Sequence, residues 1–237
     1  MKDMTHAPSV LKEVYQIIPL AWLFAGTLLG FIREGKILAW DGDIDLGIDS
    51  DLITTEIIDQ FKKQGFRVRK LITFKEDIIQ KYVPNSKNNY SKLVVHKNKV
   101  KVEILCFKQG IPHNRTGEET EMLYYRAGLA KQPPRLFALP YHMAYPIIER
   151  DMYDFKVNIP ENYKDQLSYI YGNSWMIPKK RWYFTAEHYL CRERTTIELY
   201  DDDGTCWSKY TGRKVIEKAY GPQKFPDDIN EVFILKD

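Results

Sequence analysis

The chain has 237 residues, 44% hydrophobic, 28% charged and 14% aromatic, which suits one or two ordinary domains with a buried core. That balance excludes a disordered chain, and 13 Gly with 12 Pro excludes a fibrous or low-complexity one. Lys and Arg number 35 against 32 Asp and Glu, an excess too small to argue for nucleic acid as a partner; three cysteines, Cys106, Cys191 and Cys206, fit a reduced cytoplasmic setting rather than a disulfide framework.

Ser9 to Ile18 predicts a helix, because Val10, Leu11, Val14, Ile17 and Ile18 recur at helical spacing. The run Ile17 to Ile32 holds sixteen residues without a charge. It is shorter than the roughly 20 residues a spanning helix needs, and Pro19, Gly26 and Gly30 interrupt it. It reads as a core strand followed by a helix, so no membrane span is expected, and its flanks do not resemble a secretory leader. Ala21 to Ala25 predicts a buried strand that feeds a turn at Gly26-Thr27, and Leu28 to Glu34 a helix closed by Gly35. Asp43 to Ile48 alternates strictly, with Ile44, Leu46 and Ile48 on a dry face and Asp43, Asp45 and Gly47 on the other. Ser50 is placed to cap a helix from Asp51 to Gln64, with Ile53, Ile57 and Phe61 on one stripe and Gly65 past its end.

Strand-like runs follow at Phe66–Thr73, Asp77–Val83, Tyr90–His96 and Val100–Phe107, the last two flanking a hairpin connection at Lys97-Asn98-Lys99. Val100, Val102 and Ile104 share one face of the final strand, so Glu103 points to the other. From Ile111 onward Pro112, Pro133, Pro134, Pro140, Pro146, Pro160 and Pro178 break up an aromatic-rich region with short helical patterns such as Asn162–Tyr171. The expectation is an α/β (α+β) chain, with a mixed sheet flanked by helices over residues 1–110 and a Pro- and aromatic-rich region, 111–237, packed on it.

Chemistry concentrates between Gly26 and Asp45. Two residues apart on one strand, Asp43 and Asp45 project from the same face with Cβ atoms roughly 6–7 Å apart. Two hard oxygen donors at that separation can share Mg²⁺, which fills the rest of its octahedron with water and phosphate oxygens. Gly26-Thr27 at a strand-to-helix junction supplies backbone N–H groups and a hydroxyl where the helix dipole favours an anion. A lone Asp-x-Asp arises often by chance; coupled to the upstream Gly-Thr and a dry face behind the acids, it becomes a candidate metal and phosphate site. Glu103 is the candidate third ligand if its strand neighbours Asp43–Ile48.

Gly-Thr followed by Asp-Ile-Asp-Leu resembles the nucleotidyltransferase superfamily of DNA polymerase beta type, and the fuller string GTLLGFIREGKILAWDGDIDLGI from Gly26 to Ile48 is similar to its LicD/fukutin branch. A second block, Tyr163-Lys164-Asp165-Gln166-Leu167 through Tyr171-Gly172-Asn173-Ser174-Trp175 and Pro178, resembles that family's C-terminal signature. The resemblance implies a nucleotidyltransferase-like catalytic core over 1–110, a C-terminal region that binds acceptor or donor, and an enzyme that transfers a phospho-alcohol. The donor would be CDP-linked, of the CDP-choline or CDP-ribitol class; the acceptor would be a glycan or glycolipid hydroxyl, and CMP would leave. By motif position Asp43, Asp45 and Glu103 would hold Mg²⁺ or Mn²⁺, Asp41 would be an accessory carboxylate, and Gly26 and Thr27 would meet the donor phosphate. Arg33 and Lys36 are the candidate cations for that phosphate, and Glu103 stands where the family more often has Asp. Such an enzyme is expected to serve polysaccharide or envelope assembly, in the cytoplasm or peripherally at the inner membrane face.

Two other readings stay open on the residues: a true nucleotidyltransferase that releases diphosphate, and an inactive glycan- or nucleotide-binding module. Clustered acids argue against the module, since they repel one another without a metal. His188-x-x-Cys191 with Cys206 lacks a fourth zinc ligand, and Asp201-Asp202-Asp203-Gly204 lacks the later ligands of a calcium loop. Trp40 suits either a stacked base or the core.

Overall fold

A computed structural model of the chain describes residues 3–73, 88, 90–110, 122–127, 135–178 and 196–197. The expected strand at Asp77–Val83, both Cys191 and Cys206, His188 and the Asp201–Gly204 turn lie outside the described residues.

The first helix, α1 (Ala7–Ile17), buries Val10, Leu11, Val14 and Ile17, the stripe that its spacing predicts. The short strand β1 (Trp22–Leu23) leads into α2 (Ala25–Glu34), which begins three residues earlier than the sequence suggests. Gly26 and Thr27 therefore sit in the first helical turn rather than in a loop. Gly35 closes α2 in the left-handed conformation at φ +67°, its N–H donating to the Phe31 carbonyl at 2.8 Å. Strand β2 (Ile44–Asp49) buries Ile44, Leu46 and Ile48, each such side chain stabilising the fold by about 1.5–3 kcal/mol.

A 3₁₀ turn, Ser50–Leu52, follows, and α3 (Thr55–Lys63) starts only at the Thr54 cap, whose hydroxyl accepts the Ile57 N–H. Ser50 is thus not the cap expected for a helix from Asp51. Its hydroxyl is buried and bonded to Lys108 Nζ at 2.7 Å, a partner that only the folded chain supplies. Strands β3 (Arg67–Thr73), β4 (Tyr90–Lys97) and β5 (Val100–Gly110) follow. The β4–β5 hairpin closes through Asn98 and Lys99, both at positive φ, the two-residue turn that matches the twist of the strands.

These strands form a mixed sheet in the order β1–β2–β5–β4–β3. Only β2 and β5 run parallel, with Asp45 beside Glu103. The far end of β5 pairs antiparallel with β6 (Met122–Ala127), which pairs with β7 (Arg135–Pro140), and β7 pairs with β10 (Thr196–Ile197). A separate hairpin, β8 (Ile147–Met152) with β9 (Phe155–Pro160), precedes α4 (Tyr163–Tyr171). The architecture is the mixed sheet with flanking helices that the element pattern predicts.

Strands β6 to β9 were not legible as strands, because the prolines and aromatics of that region mask their alternation. Leu139, Met152, Val157, Ile159, Leu167 and Ile170 share one apolar core with the first half of the chain. The β8–β9 hairpin is fastened to that half by polar contacts. Asn158 donates through Nδ2 to the carbonyls of Pro19 and Ala21, and the Tyr153 hydroxyl accepts the Ile37 N–H at 2.9 Å. No helix among the described residues is long and apolar enough to cross a membrane.

Candidate active site

Each residue of Gly26-Thr27-Leu28-Leu29-Gly30 has its own physical task. Leu28 and Leu29 are buried and anchor α2 in the core. The Thr27 hydroxyl, itself buried, accepts the Asp45 N–H at 2.8 Å, and the Phe24 N–H donates to the Asp45 carbonyl at 3.1 Å. The Asp45 backbone is thereby clamped from both sides by the residues that start α2.

Gly26 leaves room for acids. A Cβ there would lie 2.5 Å from Asp41 Oδ2 and 3.6 Å from Asp45 Oδ2. One helical turn on, Gly30 lets the returning chain lie against the helix; a Cβ there would meet the Lys36 carbonyl oxygen and Leu38 Cγ, each at 2.8 Å. The segment after Gly35 therefore runs back along α2 from Gly30 to Gly26 and delivers Asp41 to the acid cluster. Ala25, just before Gly26, is held at φ +42°, a costly conformation for a residue with a side chain and one that marks a tightly specified elbow.

Asp43 and Asp45 enter from β2 and the residue before it, and Glu103 from β5 alongside. One carboxylate oxygen from each of Asp43, Asp45 and Glu103 lies within 4.8 Å of the others. Asp41 stands at the edge of this set, its Oδ1 accepting the Gly42 N–H at 2.8 Å. Burial, then the neighbouring Asp43 charge, pushes the Asp41 carboxyl up to about 6. Burial also raises Asp45 well above the ordinary carboxylate range, and Asp43, Asp41 and Glu103 add to the rise. Burial acts on Glu103 in the same direction, but Lys92 and Lys101 together outweigh it and hold that carboxyl below its usual range.

The donor set fits a hard divalent cation: oxygen ligands only, crowded enough to resist ionising together, in a space kept open by the missing side chain of Gly26. The cations beside the acids are not the expected ones. Arg33 lies in the last turn of α2, about 10 Å along the helix axis from Gly26, and Lys36 is exposed beyond it. Instead Lys92 pairs with Glu103, and Lys101 pairs with both Glu103 and Asp43. Lys101 precedes Glu103 by two on one strand, so the alternation already in hand could have found it. Lys92 required the β4–β5 pairing. Trp40, next to Asp41, is 61% exposed, which removes it from the core.

An acid pair on one strand, a third acid on its parallel neighbour and a Gly-Thr helix start clamped behind them make this a nucleotidyltransferase-type domain. Residues 20–162 match the LicD/FKTN/FKRP nucleotidyltransferase domain, and the chain belongs to that family. It is 25% identical over 168 residues to the ribitol-5-phosphate transferase FKTN of Mus musculus and 25% identical over 162 residues to that of Homo sapiens. Each alignment spans 68% of this chain and 30% of the relative. An uncharacterized protein of Rickettsia typhi is 38% identical over 50 residues, 20% of this chain and 16% of that one.

Proposed function

We propose that the chain is a transferase that moves a phospho-alcohol from a CDP-linked donor, of the CDP-choline or CDP-ribitol class, to a glycan or glycolipid hydroxyl. The observation that carries this reading is the set of three carboxylates within 4.8 Å in a domain of the LicD/FKTN/FKRP family. Ribitol-5-phosphate transfer, the activity for which the mouse and human relatives are named, supports the reaction class.

Asp43, Asp45 and Glu103 would hold Mg²⁺ or Mn²⁺, which when bound supplies positive charge to the phosphate oxygens. The first turn of α2 at Gly26-Thr27 would offer its N–H groups to the donor phosphate, and Arg33 and Lys36 would steer the anionic donor from the far end of α2. In the reaction the acceptor hydroxyl oxygen bonds to the phosphorus distal to cytidine, and the bond from that phosphorus to the CMP oxygen breaks. The hydroxyl proton needs a base. Asp41 lies at the edge of the three-acid set and outside it, and it is the carboxylate we assign to take that proton. The exposed Trp40 ring beside it offers a face for a base or a sugar. Soluble, cytoplasmic work on envelope or capsule polysaccharide, with residues 111–237 shaping the acceptor and donor sites around a 1–110 core, completes the proposal.

The test is mass spectrometry of reactions with a panel of CDP-alcohols, Mg²⁺ and glycan acceptors. A product heavier by the phospho-alcohol, with CMP released, supports the proposal. A product carrying CMP hands the assignment to a nucleotidyltransferase, and binding without turnover of any donor hands it to a binding module.

A further inference from the structure

The acid cluster already holds cations of the chain's own. Lys101 Nζ donates to Glu103 Oε1 at 2.9 Å and also pairs with Asp43 Oδ2, so one ammonium bridges two of the three acids that could hold a metal. Lys92 reaches across from β4 to the other Glu103 oxygen, Oε2, and among the described residues pairs with that carboxylate alone. When all four acids are ionised, two ammoniums against four carboxylates leave two negative charges, the charge of one divalent ion. An ion that takes Asp43 and Glu103 meets an ammonium already lying on one oxygen of each, and two cations held against the same pair of carboxylates repel strongly in a half-buried site. The ammonium must therefore move aside. Its side chain is one quarter exposed (25%), more than that of Lys92 (15%), and its four-carbon stem can swing.

We propose that Lys101 is an exchanging cation: it bridges Asp43 and Glu103 in the metal-free chain, yields those oxygens to a divalent ion, and then turns its ammonium to a phosphate oxygen of a nucleoside diphosphate bound beside the ion. The inference rests on the metal reading above. Lys101 thereby joins the donor site, while Lys92 stays as the anchor of Glu103. The exchange makes metal binding and donor binding sequential, because the phosphate contact exists only after the ion has released the lysine.

Calorimetry on the full chain tests it with Mn²⁺ alone and then with CDP added to Mn²⁺-saturated protein. Lys101→Met removes both the competitor and the phosphate contact, so Mn²⁺ should bind about tenfold tighter and CDP about tenfold weaker. Lys92→Met removes an equal charge but leaves the bridge to Asp43, and should tighten Mn²⁺ by only about threefold. Lys101→Arg should restore both affinities toward wild type, and Lys101→Gln is read in place of the Met variant if that one does not fold. Opposite signs are the signature, since a structural role would weaken both ligands. Mn²⁺ binding unchanged or weakened in Lys101→Met overturns the proposal, as does unchanged CDP binding. No Mn²⁺ binding by wild type or by either uncharged variant overturns the metal reading itself.

Discussion

Asp45 is the residue on which local chemistry and stability pull against each other. Thr27 and Phe24 fix its backbone, while its carboxyl is buried among three other acids that raise its affinity for a proton. The folded state binds that proton more tightly than the unfolded state, so this group costs stability as pH rises above the ordinary carboxylate range. At neutral pH without metal, Asp45→Asn should therefore melt higher than wild type in the presence of EDTA. The same variant should lose at least about 10²-fold in turnover and should no longer gain in melting temperature from Mg²⁺. A lower melting point in EDTA would show that the cluster is not strained by like charge. Gly26 is tested the same way. Gly26→Ala places a methyl 2.5 Å from Asp41 Oδ2, so the acid must move while α2 itself, which prefers Ala, persists. The expected outcome is an unchanged circular-dichroism spectrum with turnover lowered by at least about tenfold.

Among elements, the junctions are more tightly specified than the bodies. Helix α2 and the chain that returns along it meet at Gly30 with backbone against the Cβ position, so this contact tolerates no side chain. Gly47 plays the same part in the sheet, where Trp22 lies flat across it; a Cβ there would come within 2.4 Å of the indole. The β4–β5 hairpin is different, because its turn carries a removable cost. Asn98 tolerates φ +49°, but the exposed Lys99, at φ +67°, has a side chain where glycine is favoured. Lys99→Gly should raise stability by about 1 kcal/mol, read as a higher urea midpoint at unchanged slope. A lower midpoint would mean that the unfolded-state freedom of the new glycine outweighs the relieved turn.

Across the whole molecule, Lys108 joins parts that are far apart in sequence. It is 2% exposed at the far end of β5 and donates to Ser50 Oγ at 2.7 Å, the Asn88 carbonyl at 2.5 Å and Asn88 Oδ1 at 3.1 Å. Asn88 in turn donates through Nδ2 to the Ser50 carbonyl at 2.8 Å. Burial lowers the Lys108 ammonium to about 8, with Asp51 and Asp49 resisting the change. Below about pH 8 the lysine is protonated in both states and the burial cost stands in full. Between about pH 8 and its unfolded value of 10.5 the folded chain releases the proton first, so stability rises with pH over that window. Wild type should therefore gain on Lys108→Met by up to about 3 kcal/mol between pH 7.5 and pH 10, measured by urea unfolding of both proteins. A constant difference across those pH values would show that Lys108 is not desolvated in the folded state.

What the sequence by itself determined was whatever depends on near neighbours. The α1 stripe, the dry face of β2, the shared face of Val100, Val102 and Ile104 and the stop at Gly35 all follow from periodicity and backbone freedom, and all stand in the structure. The motif likewise marked Asp41, Asp43, Asp45 and Glu103 as acids worth bringing together. Which groups meet them was decided only by tertiary structure. The parallel pairing of β2 with β5 sets Asp45 beside Glu103, and the β4–β5 register adds Lys92. Ser50 looked like a helix cap because Ser often is one, until Lys108 claimed its hydroxyl from another strand. The hairpin whose Tyr153 holds Ile37, and with it the segment that carries Asp41, had no local signal at all. Periodicity and capping act over a few residues and can be read along the chain, whereas strand register and ion pairing depend on which distant segments share a core, and that is settled only when the chain closes on itself.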